Sequence, residues 1–333
     1  MQRIRVGVLS RLPYLVALAG WFLTFGLTTE AASLTPGEPI LLEKTSGKFD
    51  FIRIDAAKRR LLLAHTGNKS LDVFDLESRH LTKSISTGAA QDVAIDAKNR
   101  RYFVAVSAPP RMAIVDAVKL EMIGEVPLPA AADLATFNTS NGRVYVCNDT
   151  APELWVIDPE AKKIAATITL SGSGMEDLAF DPQYKELFQV VKGNNTLVVI
   201  EASNNKPAQS WTTAPATNPH GMALVPDADT VLVAGGSGKL ALMNRTTGKV
   251  LASADIDNRV DEMAYDAELH LAYCPGGSRN ISVVRVEGDK LTFVENVPGA
   301  SGRSIVVDPM THIVWVASNK GDQAFVQPFS AGH

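Results

Sequence analysis

PHGMALVPDADTVLVAGGSGKLALMNRTTGKVL, residues 219–251, consists of short apolar runs separated by turn residues. Pro-Asp-Ala-Asp, Gly-Gly-Ser-Gly and Thr-Thr-Gly punctuate it, and Val, Leu and Met fill the runs between. Runs of this length and composition, bounded by Gly, Pro, Asn and Asp, predict short antiparallel strands. The unit recurs along the chain. Its first strands read FDFIRID, QDVAID, DLATFN, EDLAFD, HGMALV, DEMAYD and RSIVVD. They end at Asp55, Asp96, Asn138, Asp181, Val225, Asp266 and Asp308, at successive spacings of 41, 42, 43, 44, 41 and 42.

Further strands follow in every unit. In the third repeat they are RVYVCN, ELWVIDP and IAATITL. Four short strands in about 40 to 45 residues is the length of one propeller blade. The chain therefore reads as all-β: a seven-bladed β-propeller with four antiparallel strands per blade. The seventh unit has only three strands before His333. Ile40 to Lys44 (ILLEK) lies upstream of the first blade and has no other use there. Closure by this N-terminal strand added to the last blade is expected, because it removes two open sheet edges.

The first residues read differently. Arg3, Arg5 and Arg11 precede an uncharged, mostly apolar run from Leu12 to Leu27, and small residues follow around Ala31. That order is the pattern of a secretory signal, and sixteen residues is short for a membrane span, which needs about 20. Residues 1–31 are expected to be a cleaved signal peptide and 32–333 the propeller domain, with no membrane span after cleavage and a periplasmic or secreted location. Loss of three Arg and one Glu changes the formal charge from −4 to 29 − 35 = −6. A mildly acidic chain argues against nucleic-acid partners, which normally need a basic face. Cys147 and Cys274 fall three blades apart in the register. A disulfide needs Cα atoms within about 7 Å, so both are expected to be buried, unpaired thiols.

Pro219 to Leu251, and ELWVIDPEAKKIAATI (Glu153 to Ile168), resemble the YVTN-type β-propeller repeat of exported bacterial proteins, the YncE-like group. The shared features are a Pro-x-Gly turn, an apolar strand, a Pro-Asp turn, a Val-rich strand and Thr-Gly-Lys-Val. The resemblance covers residues 38–333, although no unit contains YVTN itself and RVYVCN is the nearest. These motifs are structural. The architecture is shared by haem d1-binding propellers, quinoprotein dehydrogenase subunits and lactonases, so it implies a fold and leaves the chemistry open.

In a propeller the residue that starts each inner strand faces the top of the central channel. The register places Asp50, Gln91, Asp133, Glu176, His220, Asp261 and Arg303 there. Four carboxylates around a narrow mouth repel one another unless a cation offsets them. Arg303 offsets one, and a divalent cation on Glu176, His220 and Asp261 is the metal expectation, as carboxylates and an imidazole suit such ions. The bland reading is a solvated polar rim. The connections between second and third strands carry His65, Ser107, Asn148, Lys192 and Asn319 to the same face. His65 is thus a supporting candidate, able with His220 to clamp a metal or a haem-type ligand; its bland reading is a solvated loop residue.

No C-x-x-C-H, H-E-x-x-H or G-x-S-x-G motif occurs. The stretch GGSGK (Gly235 to Lys239) lacks the Ser or Thr and the following helix of a phosphate loop. Two readings follow. The first is an exported binding or scaffold module of the bacterial cell envelope, taking a protein partner or small ligand on the channel-mouth face. The second is a metal- or non-covalent haem-dependent enzyme or cofactor carrier, or a lactonase-like hydrolase, using the Asp/Glu/His ring.

Overall fold

The connections within each repeat are short, so each strand returns antiparallel beside the one before it. The computed structural model of the chain describes residues 34–226, 228–299 and 302–331. Within them seven sheets form, six of them meanders running outward from the channel in sequence order and the seventh completed at its outer edge by N-terminal residues. Blade 3 illustrates the pattern with Ala132–Asn138, Arg143–Asn148, Glu153–Asp158 and Lys163–Thr169. Thr136 faces Tyr145, Tyr145 faces Val156, and Val156 faces Ala166.

Burial follows position in the blade. The second and third strands are covered on both faces by neighbouring blades, which is why LLLA (Leu61 to Ala64) is an unbroken apolar run with no exposure. The fourth strand lies at the rim and alternates, as in Lys163–Thr169. The core is divided among the blade interfaces. Leu62 packs with Tyr102 and Val104 between blades 1 and 2, and Phe103 packs with Val146 and Trp155 between blades 2 and 3.

In four of the five inner strands that end in Asp, that residue caps its own turn and receives a side chain from the next blade; Asp96 bonds Asn99 and Arg101 within its own blade. Asp55 accepts from Lys58 N and from the Tyr102 hydroxyl at 2.7 Å. Asp181 accepts from Gln183 N and from Arg245. Asp266 accepts from Glu268 N, and His312 Nδ1 lies 2.7 Å from it. Asp308 accepts from Met310 N and takes both Nη atoms of Arg59 at 2.8 and 2.6 Å. The last pair links blade 7 back to blade 1. In these four blades the repeated Asp of the sequence is thus an interblade staple.

The ring closes as expected, but the closing strand is divided. Leu34–Pro36 pairs with Gln323–Ala331, and Ile40–Leu41 pairs further along that same strand. Pro39 has no N–H to donate, and the ladder is interrupted between Gly37 and Ile40. Pairing ends at Leu42, whose N–H donates to Ala324 O. The expected Ile40 to Lys44 donor is therefore shorter at one end, and Leu34–Pro36 supplements it. Cys147 and Cys274 are free and buried. The expected leader, residues 1–31, lies outside the described residues. Among those described, no helix is long and apolar enough to cross a membrane.

Candidate functional site

Four inner strands carry one extra residue near their start, so the ladder slips there. The register shifts between Ala90 and Asp92, Ala132 and Ala135, Met175 and Leu178, and Pro219 and Met222. Such bulges re-aim side chains. Those within the shifts include Gln91, Asp133, Glu176 and His220, four of the expected mouth residues.

The mouth is a mixed-charge ring drawn from many blades. Glu176 pairs with Lys192, and His220 Nε2 stands 3.9 Å from Glu176 Oε1 and 3.4 Å from Lys192 Nζ. His220 Nδ1 lies 2.8 Å from the carbonyl of Asn218. A carbonyl only accepts, so the Nδ1 proton belongs to that bond and, in the neutral ring, the Nε2 lone pair is left to accept from the Lys192 ammonium. Ligand atoms of Glu176, His220 and Asp261 all lie within 4.8 Å of one another. Arg303 Nη1 stands 3.4 Å from Asp261. Gln91 donates to the Ser107 hydroxyl. Asp50 and Asp133 have no ion-pair partner among the described residues. Burial, then Asp261, raises the Asp50 carboxyl to about 7. Burial, then Asp50, raises that of Asp133 to about 9.

A second charged layer lies just inside. Arg53 grips Asp92 through Nε and Nη2 at 2.9 and 2.8 Å, and Asp177 stands 3.9 Å from Nη2. Asp92, Asp177 and Glu262 are all buried. Each also accepts a backbone N–H from the following blade: Ala135, Met222 and Ile305 respectively. Burial raises the carboxyls of Asp177 and Glu262, and Arg53 opposes it. This belt was missed from sequence, although signals for it exist. Each acid directly follows a mouth residue, in QD, ED and DE, and Arg53 is the one Lys or Arg beyond the first position of a described inner strand.

His65 is a correction. It is neither at the mouth nor in solvent. Its ring is fully buried in blade 1, stacked on Phe49 with centroids 4.0 Å apart. Nδ1 lies 2.7 Å from Asp72, whose other oxygen accepts from the Ser70 hydroxyl at 2.6 Å. The residue ends a second strand whose apolar neighbours draw it inward, and Asp72 satisfies it there. No His65–His220 clamp forms. Of the other connection residues, Ser107 and Lys192 reach the ring, whereas Asn148 caps its own turn through Thr150 and Asn319 bonds Gly321 O. Replacing Asp72 by Ala leaves His65 and Ser70 without their acceptor. We expect a loss of about 3 kcal/mol in urea unfolding; a loss under about 1 kcal/mol would mean that water replaces the carboxylate.

The fold of this chain is that of β-propeller proteins. It is similar to Kuenenia stuttgartiensis hydrazine synthase, at 15% identity over 83% of this chain and 93% of that one, with a TM-score of 0.72. It is similar to the RRP9 WD40 repeats, at 10% identity over 90% and 100%, with a TM-score of 0.74. U3-55K gives 10% identity over 87% and 98%, with a TM-score of 0.72. Similarity at these identities concerns the fold alone. No protein-family model and no curated protein sequence matches the chain.

Proposed function

We propose that this chain is an exported propeller of the YVTN-repeat, YncE-like type, serving the bacterial cell envelope as a binding module that takes a cationic group of a ligand or protein partner at its channel mouth. The observation that carries this reading is the incomplete neutralisation of the ring. Lys192 and Arg303 answer Glu176 and Asp261, while Asp50 and Asp133 stand without a counter-charge and hold their protons far above the usual carboxylate range. A cleft whose carboxylates outnumber its cations focuses its field on an incoming positive charge. The leader-like residues 1–31 support export.

Tetralysine tests the mouth. At low salt and pH 7.5 it should bind the purified chain, with affinity falling at least tenfold when Asp50 and Asp261 are both changed to Asn. Tenfold corresponds to about 1.4 kcal/mol. Equal binding by the double variant would remove the mouth from the account. For export, the chain recovered from cell-envelope fractions should begin at residue 32.

One geometric fact favours a second reading, a divalent cation at the mouth. Glu176, His220 and Asp261 form a compact ligand set, and a carbonyl-anchored imidazole is the usual arrangement at metal sites. Lys192 Nζ sits against two of these residues, so a metal must displace it. Elemental mass spectrometry of protein purified from its native envelope should then find one metal per chain, absent in His220→Ala. Added Mn²⁺ should bind more tightly to Lys192→Ala than to the unaltered protein. If Lys192→Ala binds no better, the ammonium is a structural partner and the metal reading fails.

A further inference from the structure

The channel has an opposite end, and its chemistry is different. Each inner strand in blades 1 to 6 carries an apolar residue just before its last position: Ile54, Ile95, Phe137, Phe180, Leu224 and Tyr265. All six are part-exposed, unlike the fully buried second strands. They stand at the strand ends remote from the mouth. On the side formed by blades 1 to 5 they bound a cavity of about 320 Å³ walled by Ile54, Ile95, Phe137, Phe180 and Met222. No mouth residue lines it; its polar side chains are Thr136, Arg53 and Asp177.

Apolar side chains form most of its wall, although the surface it presents is more polar than apolar. A concave site with a few convergent polar groups is the usual form of a small-molecule site. The volume bounds the ligand. A dry protein cavity of about 150 Å³ takes benzene, so this one suits a body of about two rings. The polar side chains bound its charge. Arg53 is already neutralised by Asp92, and Asp177 stands beside it. An anionic ligand would meet the carboxylates, and a cationic one would meet the guanidinium. A neutral hydroxyl suits both neighbours: it can accept from Arg53 Nη1, which donates no hydrogen bond among the described residues, and donate to Asp177.

We propose that this lower half of the channel is a second ligand site, taking a compact, uncharged molecule of about two-ring size whose hydroxyl meets Arg53 and Asp177. It is independent of the mouth and of any cation held there.

The probe is 2-naphthol, followed by its own fluorescence on titration into the full chain. Saturable one-site binding is expected, at least tenfold tighter than for 2-naphthoate or 2-naphthylmethylammonium, and excess tetralysine should leave the probe in place. Thr136→Trp fills the cavity from blade 3 and should weaken binding at least tenfold while the thermal melt stays cooperative. Ile95→Trp does the same from blade 2 and serves if Thr136→Trp does not fold. No saturable binding, equal affinity for the charged analogues, displacement by tetralysine, or indifference to a folded Trp variant would each overturn the proposal.

Discussion

Changing Asp133 to Asn is expected to make the protein more stable in alkali and to change it little in acid. Burial, followed by Asp50, Asp149 and Glu176, holds the Asp133 carboxyl near 9 in the folded chain, against an ordinary value of 3.8. Between about pH 4 and pH 9 the folded state keeps a proton that the unfolded state has released. Stability therefore falls as pH rises through this window, and the full contribution survives only below about pH 4. Asn has no proton to lose. The side chain is only partly buried at a solvated mouth, so water screens much of the effect. We expect Asp133→Asn to gain roughly 2 kcal/mol at pH 9 relative to pH 4, or about 5 °C in Tm. Melts across that range check it. A constant difference between the two proteins at every pH would show that Asp133 does not titrate late. Asp50, raised to about 7 by burial and Asp261, adds a smaller drop ending earlier.

The larger loss is expected from Arg53→Met. Arg53 is the cation of the inner belt, bonded twice to Asp92 and close to Asp177. Its removal leaves buried carboxylates facing one another, held only by backbone N–H groups of the following blades. Removing one partner of a buried charge set costs about 3 to 5 kcal/mol. The loss should be greatest near pH 8 and should shrink toward pH 5, because protonation of Asp177 and Glu262, whose carboxyls burial already pushes up, replaces the missing positive charge. Denaturant titrations at the two pH values test this. Equal losses at both would assign Arg53 a packing role, through the face of Phe51, 5.0 Å from its guanidinium carbon.

Both predictions concern groups whose ionised forms the fold tolerates poorly. Proteins keep such groups at sites that bind or react, because a counter-charge arriving with a ligand relieves them. The mouth has this property in Asp50 and Asp133.

Much of the architecture was legible in the letters. The Asp-ended inner strand recurs at intervals of 41 to 44, and each strand's apolar pattern depends on neighbours in its own blade and the next. The nearness of Glu176, His220, Asp261 and Arg303 follows from equivalent positions in equivalent blades. His65 was misread because burial of a histidine depends on whether an acceptor is buried with it. Asp72, seven residues later, lies directly behind it only once the two strands have paired.

The sequence by itself determined the seven-fold repeat, the four-stranded blade, closure by an N-terminal strand and the unpaired cysteines, because all of these follow from period and local pattern. Only the tertiary structure decided which side chains meet across the channel. Arg53 finds Asp92 from 39 residues away, and Glu176, His220 and Asp261 converge from blades 4, 5 and 6. Ring closure brings every blade's edge to one axis, and which side chains then touch depends on bulge, reach and direction, which no spacing in the chain encodes.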